Sequence, residues 1–205
     1  MIIDISQPLS PGMAVFPGDA PYAEHWTFRI GPGCPVNVGQ VAMSTHCGTH
    51  ADAPLHYDAA GAAAGALPLE PYLGPCRVID ARGAGPLCLP EDIGASLEHA
   101  PPRILLRLVD KIDPKVWPTG FRALAPETVR LLASRNVVLV GIDTPSVDPE
   151  TSKELPSHMA ARGADMRILE NLALSHVEPG DYELIALPLS FSNLDSSPVR
   201  AVLRR

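Results

Sequence analysis

His46-Cys47-Gly48-Thr49-His50-Ala51-Asp52-Ala53-Pro54-Leu55-His56 packs three of the seven histidines of a 205-residue chain into eleven positions. Even spacing would put fewer than one there, and histidine's chief chemical uses are metal binding and proton transfer. In an extended backbone side chains alternate, so positions 46, 48, 50 and 52 share a face. Strand rise then sets the Cα atoms of His50 and Asp52 about 6.6 Å apart, a good span for two ligands of one ion. His46 and His50 would stand about 13 Å apart in a flat strand, so the chain has to bend between them. Gly48 bends without steric cost. A helix would also bring 46 and 50 together, but Gly48, Thr49 and Pro54 oppose one. The stretch therefore reads as a bent strand offering three protein ligands, His46, His50 and Asp52. Catalytic zinc sites typically keep three and leave a position for water. His56 lies past Pro54, off the ligand strand, where a neutral imidazole acts as general base. A lone histidine is more often a hydrogen-bonded core residue; the H-x-G-x-H-x-D-x-P-x-H unit is what points to metal and acid/base chemistry.

Around this stretch the apolar runs are short. Ile2–Ser6, Thr27–Ile30, Val36–Ser44, Arg77–Asp80, Arg103–Val109, Val137–Ile142 and Tyr182–Leu189 have strand length and composition. Helices are expected from Pro90, from Pro126 to about Ser134, and over Ser157–Arg162 ahead of Gly163, the first two opened by Pro and acidic residues. The class is α/β: a mixed β-sheet or barrel-like core with short flanking helices. No domain boundary interrupts residues 1–205, which read as a single domain. The stretch AAGAAAGAL, Ala59–Leu67, reads as a flexible, poorly packed connection at the mouth of a site, because of its two glycines.

Composition closes off other classes. Hydrophobic residues are 46% and charged residues 19%, which excludes a disordered tail. No apolar run approaches the ~18 residues of a membrane span. The net charge is −7, and the sixteen Lys and Arg are scattered, so neither nucleic acid nor a membrane surface is an expected partner. Proline is 23 of 205, which suits many short elements joined by stiff turns. Met1-Ile2-Ile3-Asp4-Ile5 lacks the basic start of a secretory leader, so a cytoplasmic location is expected. Cys34, Cys47, Cys76 and Cys88 form no C-x-x-C pair and read as four buried thiols. His25, His99 and His176 have no partners at ligand spacing and read as surface residues.

His46–His56 strongly resembles the H-x-G-T-H-x-D-x-P-x-H signature of the cyclase-like metal-dependent hydrolases. The likeness covers nearly the whole chain. It includes Pro17-Gly18-Asp19, Cys34 to Gly39, Gly74 to Ile79, Gly141 to Ser146, Gly180 to Leu184 and Ser197 to Leu203. The later stretches resemble the bacterial kynurenine formamidase branch. The resemblance implies a swivelling β/β/α fold and a binuclear site, usually of Zn2+. His46, His50 and Asp52 would hold one ion, and Asp52 would bridge to a second held also by His158 and Glu170. It further implies His56 as the catalytic acid/base, a homodimer, and a small-molecule substrate. The implied reaction is hydrolysis of N-formyl-L-kynurenine to L-kynurenine and formate, a step of tryptophan degradation. Relatives often carry Trp before the Pro-Gly-Asp, where the ring lines the substrate pocket. Phe16 keeps the stacking face but lacks the indole N–H, and core packing is the equal alternative for it.

Three other readings stay open. A sister enzyme would use the same metals on another aryl or cyclic amide such as isatin. A metal-binding protein without turnover would show a degraded site, but all the implied positions are present. A serine or cysteine hydrolase would need a nucleophile; G-x-S-x-G does not occur, and Cys47 alternates away from His46 and His50.

Overall fold

The computed structural model describes residues 1–205. Its strands are β1 (Ile2–Asp4), β2 (Ala23–Phe28), β3 (Val38–Ala42), β4 (His50–Asp52), β5 (Leu73–Asp80), β6 (Leu87–Cys88), β7 (Arg103–Arg107), β8 (Ala123–Leu124), β9 (Leu139–Ile142), β10 (Arg167–Glu170), β11 (Gly180–Ile185), β12 (Ser196–Pro198) and β13 (Val202–Arg204). The helices are α1 (Pro90–Ile93), α2 (Pro126–Ser134) and α3 (Pro156–Gly163).

Nine strands form one curled half-barrel sheet in the order β1-β13-β11-β5-β7-β9-β10-β4-β12. The expected α/β class with short helices is what the chain adopts. The sheet stays open, with β1 and β12 at its edges. Its centre, β5 through β10, is parallel, and both flanks are antiparallel. Parallel strands are covered on both faces and so read as continuous apolar runs. Arg103-Ile104-Leu105-Leu106 shows how the two faces divide. Ile104 and Leu106 join Val140, Ile142 and Ile168 in the core beneath the helices. Leu105 joins Val78, Leu139, Leu169 and the buried Tyr72 on the opposite face. No helix is long and apolar enough to cross a membrane.

Three local expectations need correction. Residues 45–49 form a turn rather than part of a strand, and β4 begins only at His50. Gly48 still supplies the bend, with φ of +68°; a Cβ there would meet Leu9 at 2.7 Å. The alanine-rich stretch 59–67 is well packed, since Ala64 and Leu67 are core residues and the Ala64 and Gly65 N–H groups donate to the Leu194 and Phe191 carbonyls. Its glycines allow close backbone approach: a Cβ on Gly61 would lie 2.4 Å from the Pro54 backbone. Three of the four cysteines are buried, but Cys34 lies half-buried beyond the β2–β3 hairpin strand ends; none is in a disulfide. The short strands β6, β8, β10, β12 and β13 carry no periodic signal long enough to read from sequence.

Candidate metal centre and active site

β4 lies between β10 and β12, and all three of its residues are buried. His50 stands directly opposite Glu170 on β10, and Asp52 opposite Ile168. Partners across an antiparallel ladder share a face, so His50, Asp52 and Glu170 look the same way. Ala51 and Leu169 point into the other core. The face bearing the polar groups is the one α3 covers. Leu155 precedes α3 with φ of +48° and offers no capping side chain. Asp148 caps the helix instead, accepting the Ser157 and His158 N–H groups at 2.9 and 3.0 Å and the His158 ring at 2.7 Å. One carboxylate thus fixes both the helix start and the imidazole.

All five implied ligands come together. His46 Nδ1 lies 3.1 Å from His50 Nε2 and 3.3 Å from Asp52 Oδ1. His158 Nε2 lies 3.3 Å from Asp52 Oδ2 and 3.7 Å from Glu170 Oε1, and Glu170 Oε2 is 3.4 Å from His50 Nε2. The outer nitrogen of each ring is engaged by an acceptor: His46 Nε2 by Asp195 at 3.0 Å, His50 Nδ1 by the Gly48 carbonyl at 2.9 Å, His158 Nδ1 by Asp148. A carbonyl or carboxylate can only accept, so each outer nitrogen carries the hydrogen and each inner one presents a lone pair. Three nitrogen lone pairs then face two carboxylates with no donor among them, and buried Asp52 Oδ1 makes no hydrogen bond. Such a set needs a cation.

The electrostatics agree. Burial pulls His50 and His158 down, but carboxylates outweigh it, Asp52 and Glu170 for the first and Asp148 and Asp52 for the second, and push both up to about 10. Burial pushes Asp52 up, yet His158, His46 and His50 hold it well below the usual carboxylate range. In the metal-free chain protons fill the role a metal would take.

His56 ends a short 3-10 turn and is exposed at the rim, its ring 4.2 Å from that of His46 and 5.7 Å from that of His158. Its Nδ1 lies 3.2 Å from Asp195 Oδ2. Three sets have ligand atoms within 4.8 Å of one another: His46, His50 and Asp52; Asp52, His56 and His158; and His46, His56 and Asp195. The cavity above has a volume of about 310 Å³. Phe16 lines it, half exposed and outside the core, with Trp117 edge-on at 5.5 Å. The Trp117 indole donates to Glu150 at 3.0 Å. Asp148, Asp195 and Trp117 escape a reading from sequence. Each is a single residue in a loop with no spacing to mark it, and Asp195 and Trp117 are also far along the chain from their partners.

A family model described as Cyclase matches residues 3–149. Kynurenine formamidases of Bordetella pertussis and Bordetella avium are each 55% identical to this chain over 201 residues, 98% of this chain and 96% of theirs. A solved structure of a potential metal-dependent hydrolase with cyclase activity superposes with a TM-score of 0.85 at 26% identity, over 99% of this chain and 96% of that one. Isatin hydrolase A from Labrenzia aggregata, at 24% identity and a TM-score of 0.81 over 99% and 93% of the two chains, shares the fold. The family-model match and the full-length identity place the chain in the cyclase family.

Proposed function

We propose that the chain is an arylformamidase, hydrolysing N-formyl-L-kynurenine to L-kynurenine and formate in tryptophan degradation. The observation that carries this reading is the 55% identity to kynurenine formamidases over 98% of the chain. His46, His50 and Asp52 hold one divalent ion, and Asp52, His158 and Glu170 a second. Zn2+ suits a set of imidazole nitrogens and carboxylate oxygens. When bound, the ions supply an acidified water and Lewis acidity toward a carbonyl oxygen. His56 has Nδ1 tied to Asp195, so Nε2 takes up the proton of the attacking water and delivers it to the departing aryl nitrogen. Phe16 and Trp117 flank the aryl ring across their edge-to-face contact. A formyl carbon bears only hydrogen, so close walls at the ring-bound amide exclude bulkier acyl groups.

The working unit is a homodimer, supported by the apolar side chains that the β2–β3 hairpin leaves exposed. Four free cysteines fit a reducing compartment, in keeping with a cytoplasmic enzyme. The test is release of free aryl amine from N-formyl-L-kynurenine by purified protein, before and after chelation and zinc add-back. Turnover that chelation abolishes and zinc restores is expected. No turnover by fully metallated protein overturns the formamidase reading and moves the substrate to ring amides of the isatin type.

A further inference from the structure

Asp195 is not among the five implied ligands, although its carboxylate lies close enough to His46 and His56 to form a candidate group with them; it touches two of the site's histidines. Its Oδ2 lies 3.0 Å from His46 Nε2 and 3.2 Å from His56 Nδ1. The two rings stand only 4.2 Å apart on the same side of that oxygen. A carboxylate oxygen has two lone pairs, enough to accept one N–H from each ring. The other oxygen, Oδ1, accepts from the Thr45 hydroxyl at 3.3 Å. The backbone around it is pinned: the Asp195 carbonyl accepts the Ala53 N–H at 2.9 Å, the Leu194 carbonyl accepts the Ala64 N–H at 2.9 Å, and Ser196 opens β12. The side chain is therefore held at the end of β4, although it is part exposed.

We propose that Asp195 is a positioning residue that fixes His46 and His56 together through the single oxygen Oδ2. Toward His46 it keeps the hydrogen on Nε2, so that Nδ1 faces His50 and Asp52 as a lone pair. This is the outer-sphere carboxylate that orients a metal-ligating imidazole. Toward His56 it keeps the hydrogen on Nδ1 and leaves Nε2 as the acceptor. A base aligned by a third group is the logic of a catalytic triad, here without a nucleophilic side chain. Sharing one oxygen couples the two tasks: the group that helps retain the metal also sets the direction of the base. The His56 half of this inference rests on the formamidase reading above; the His46 half does not.

The test compares wild type, Asp195→Ala, Asp195→Asn and Thr45→Val. Zinc affinity is read by chelator competition, and kcat and KM by hydrolysis of N-formyl-L-kynurenine in excess zinc. We expect Asp195→Ala to bind zinc roughly 10–100-fold more weakly. Its kcat should fall on the order of 100-fold and stay low in excess zinc, with KM within about threefold of wild type. Asp195→Asn keeps an acceptor oxygen and should recover part of both losses, and Thr45→Val should lose a few-fold. If Asp195→Ala keeps wild-type zinc affinity and a kcat within about threefold, the proposal is overturned. A kcat fully restored by excess zinc assigns Asp195 to His46 alone and overturns the shared role. Absence of turnover by wild type overturns the formamidase reading instead, and the zinc affinities still decide whether Asp195 positions His46.

Discussion

Two neighbouring parts of the chain end in opposite environments. β4 is three residues long, and every one is buried. The strands of the β2–β3 hairpin, a few residues earlier, hold eleven residues of which every one is exposed, with Trp26 and Phe28 about half open to solvent. β4 is short but gains from ladders on both sides and from the cover of α3. The hairpin has its own ladder, the stacking of Arg29 on Trp26, 5.2 Å from the ring centroid, and local hydrogen bonds from the Tyr22 hydroxyl to Glu24 and from the Ile30 N–H to Asn37. An isolated two-stranded hairpin is marginal in water. The difference teaches that the five implied ligands meet within one chain, whereas the hairpin leaves its apolar side chains open to solvent.

The sharpest way to break that contrast is His56→Ala, at the exposed end of the β4 segment. It should lower kcat by ~10²–10⁴-fold while zinc stays bound, measured by turnover alongside metal analysis. Metal lost together with activity would put His56 among the ligands, and the buried wall would no longer be the whole centre. An intermediate effect separates the site from the rest of the fold by pH. In the metal-free chain His50 and His158 titrate near 10, above the ~6.5 of the unfolded state. Their stabilisation is fully present below about 6.5 and disappears as pH rises through 10. Denaturant titration of stripped protein at pH 7 and 10 should show a loss of roughly 2 kcal/mol or more. Zinc-loaded protein should not show it, because the metal replaces those protons. The smallest effect concerns the hairpin. Trp26→Ser with Phe28→Ser should leave zinc content unchanged and move stability within a chain by about 0.5 kcal/mol or less. Light scattering should nonetheless report a fall from dimer to monomer; an unchanged mass would remove the hairpin from the interface.

The sequence was most legible where chemistry or composition is dense. His46, His50, Asp52 and His56 were visible because four functional side chains crowd eleven positions, and Gly48 because only a bend lets them meet. α2 runs Pro126–Ser134 as expected, since Pro126 and Glu127 open it. His158 and Glu170 enter only through family likeness; helix α3 and the β4–β10 ladder bury them. Asp195 was invisible because its meaning depends on being brought 149 positions back along the chain to His46. The alanine-rich stretch misled for a related reason. Gly61 and Gly65 signal flexibility locally, but here they let two backbones touch.

The ladder that sets His50 against Glu170 also governs when a metal site could form. As the chain leaves the ribosome, the His46–His56 stretch emerges long before β10 and β12 exist to flank it. At that moment it offers imidazoles and a carboxylate without a fixed arrangement, unable to discriminate one cation from another. A fixed arrangement arrives only when β10 inserts between β9 and β4 and β12 closes the far side. The cores on both faces of the sheet are built from apolar side chains. A metal centre built from these residues would therefore form only once β10 and β12 are in place.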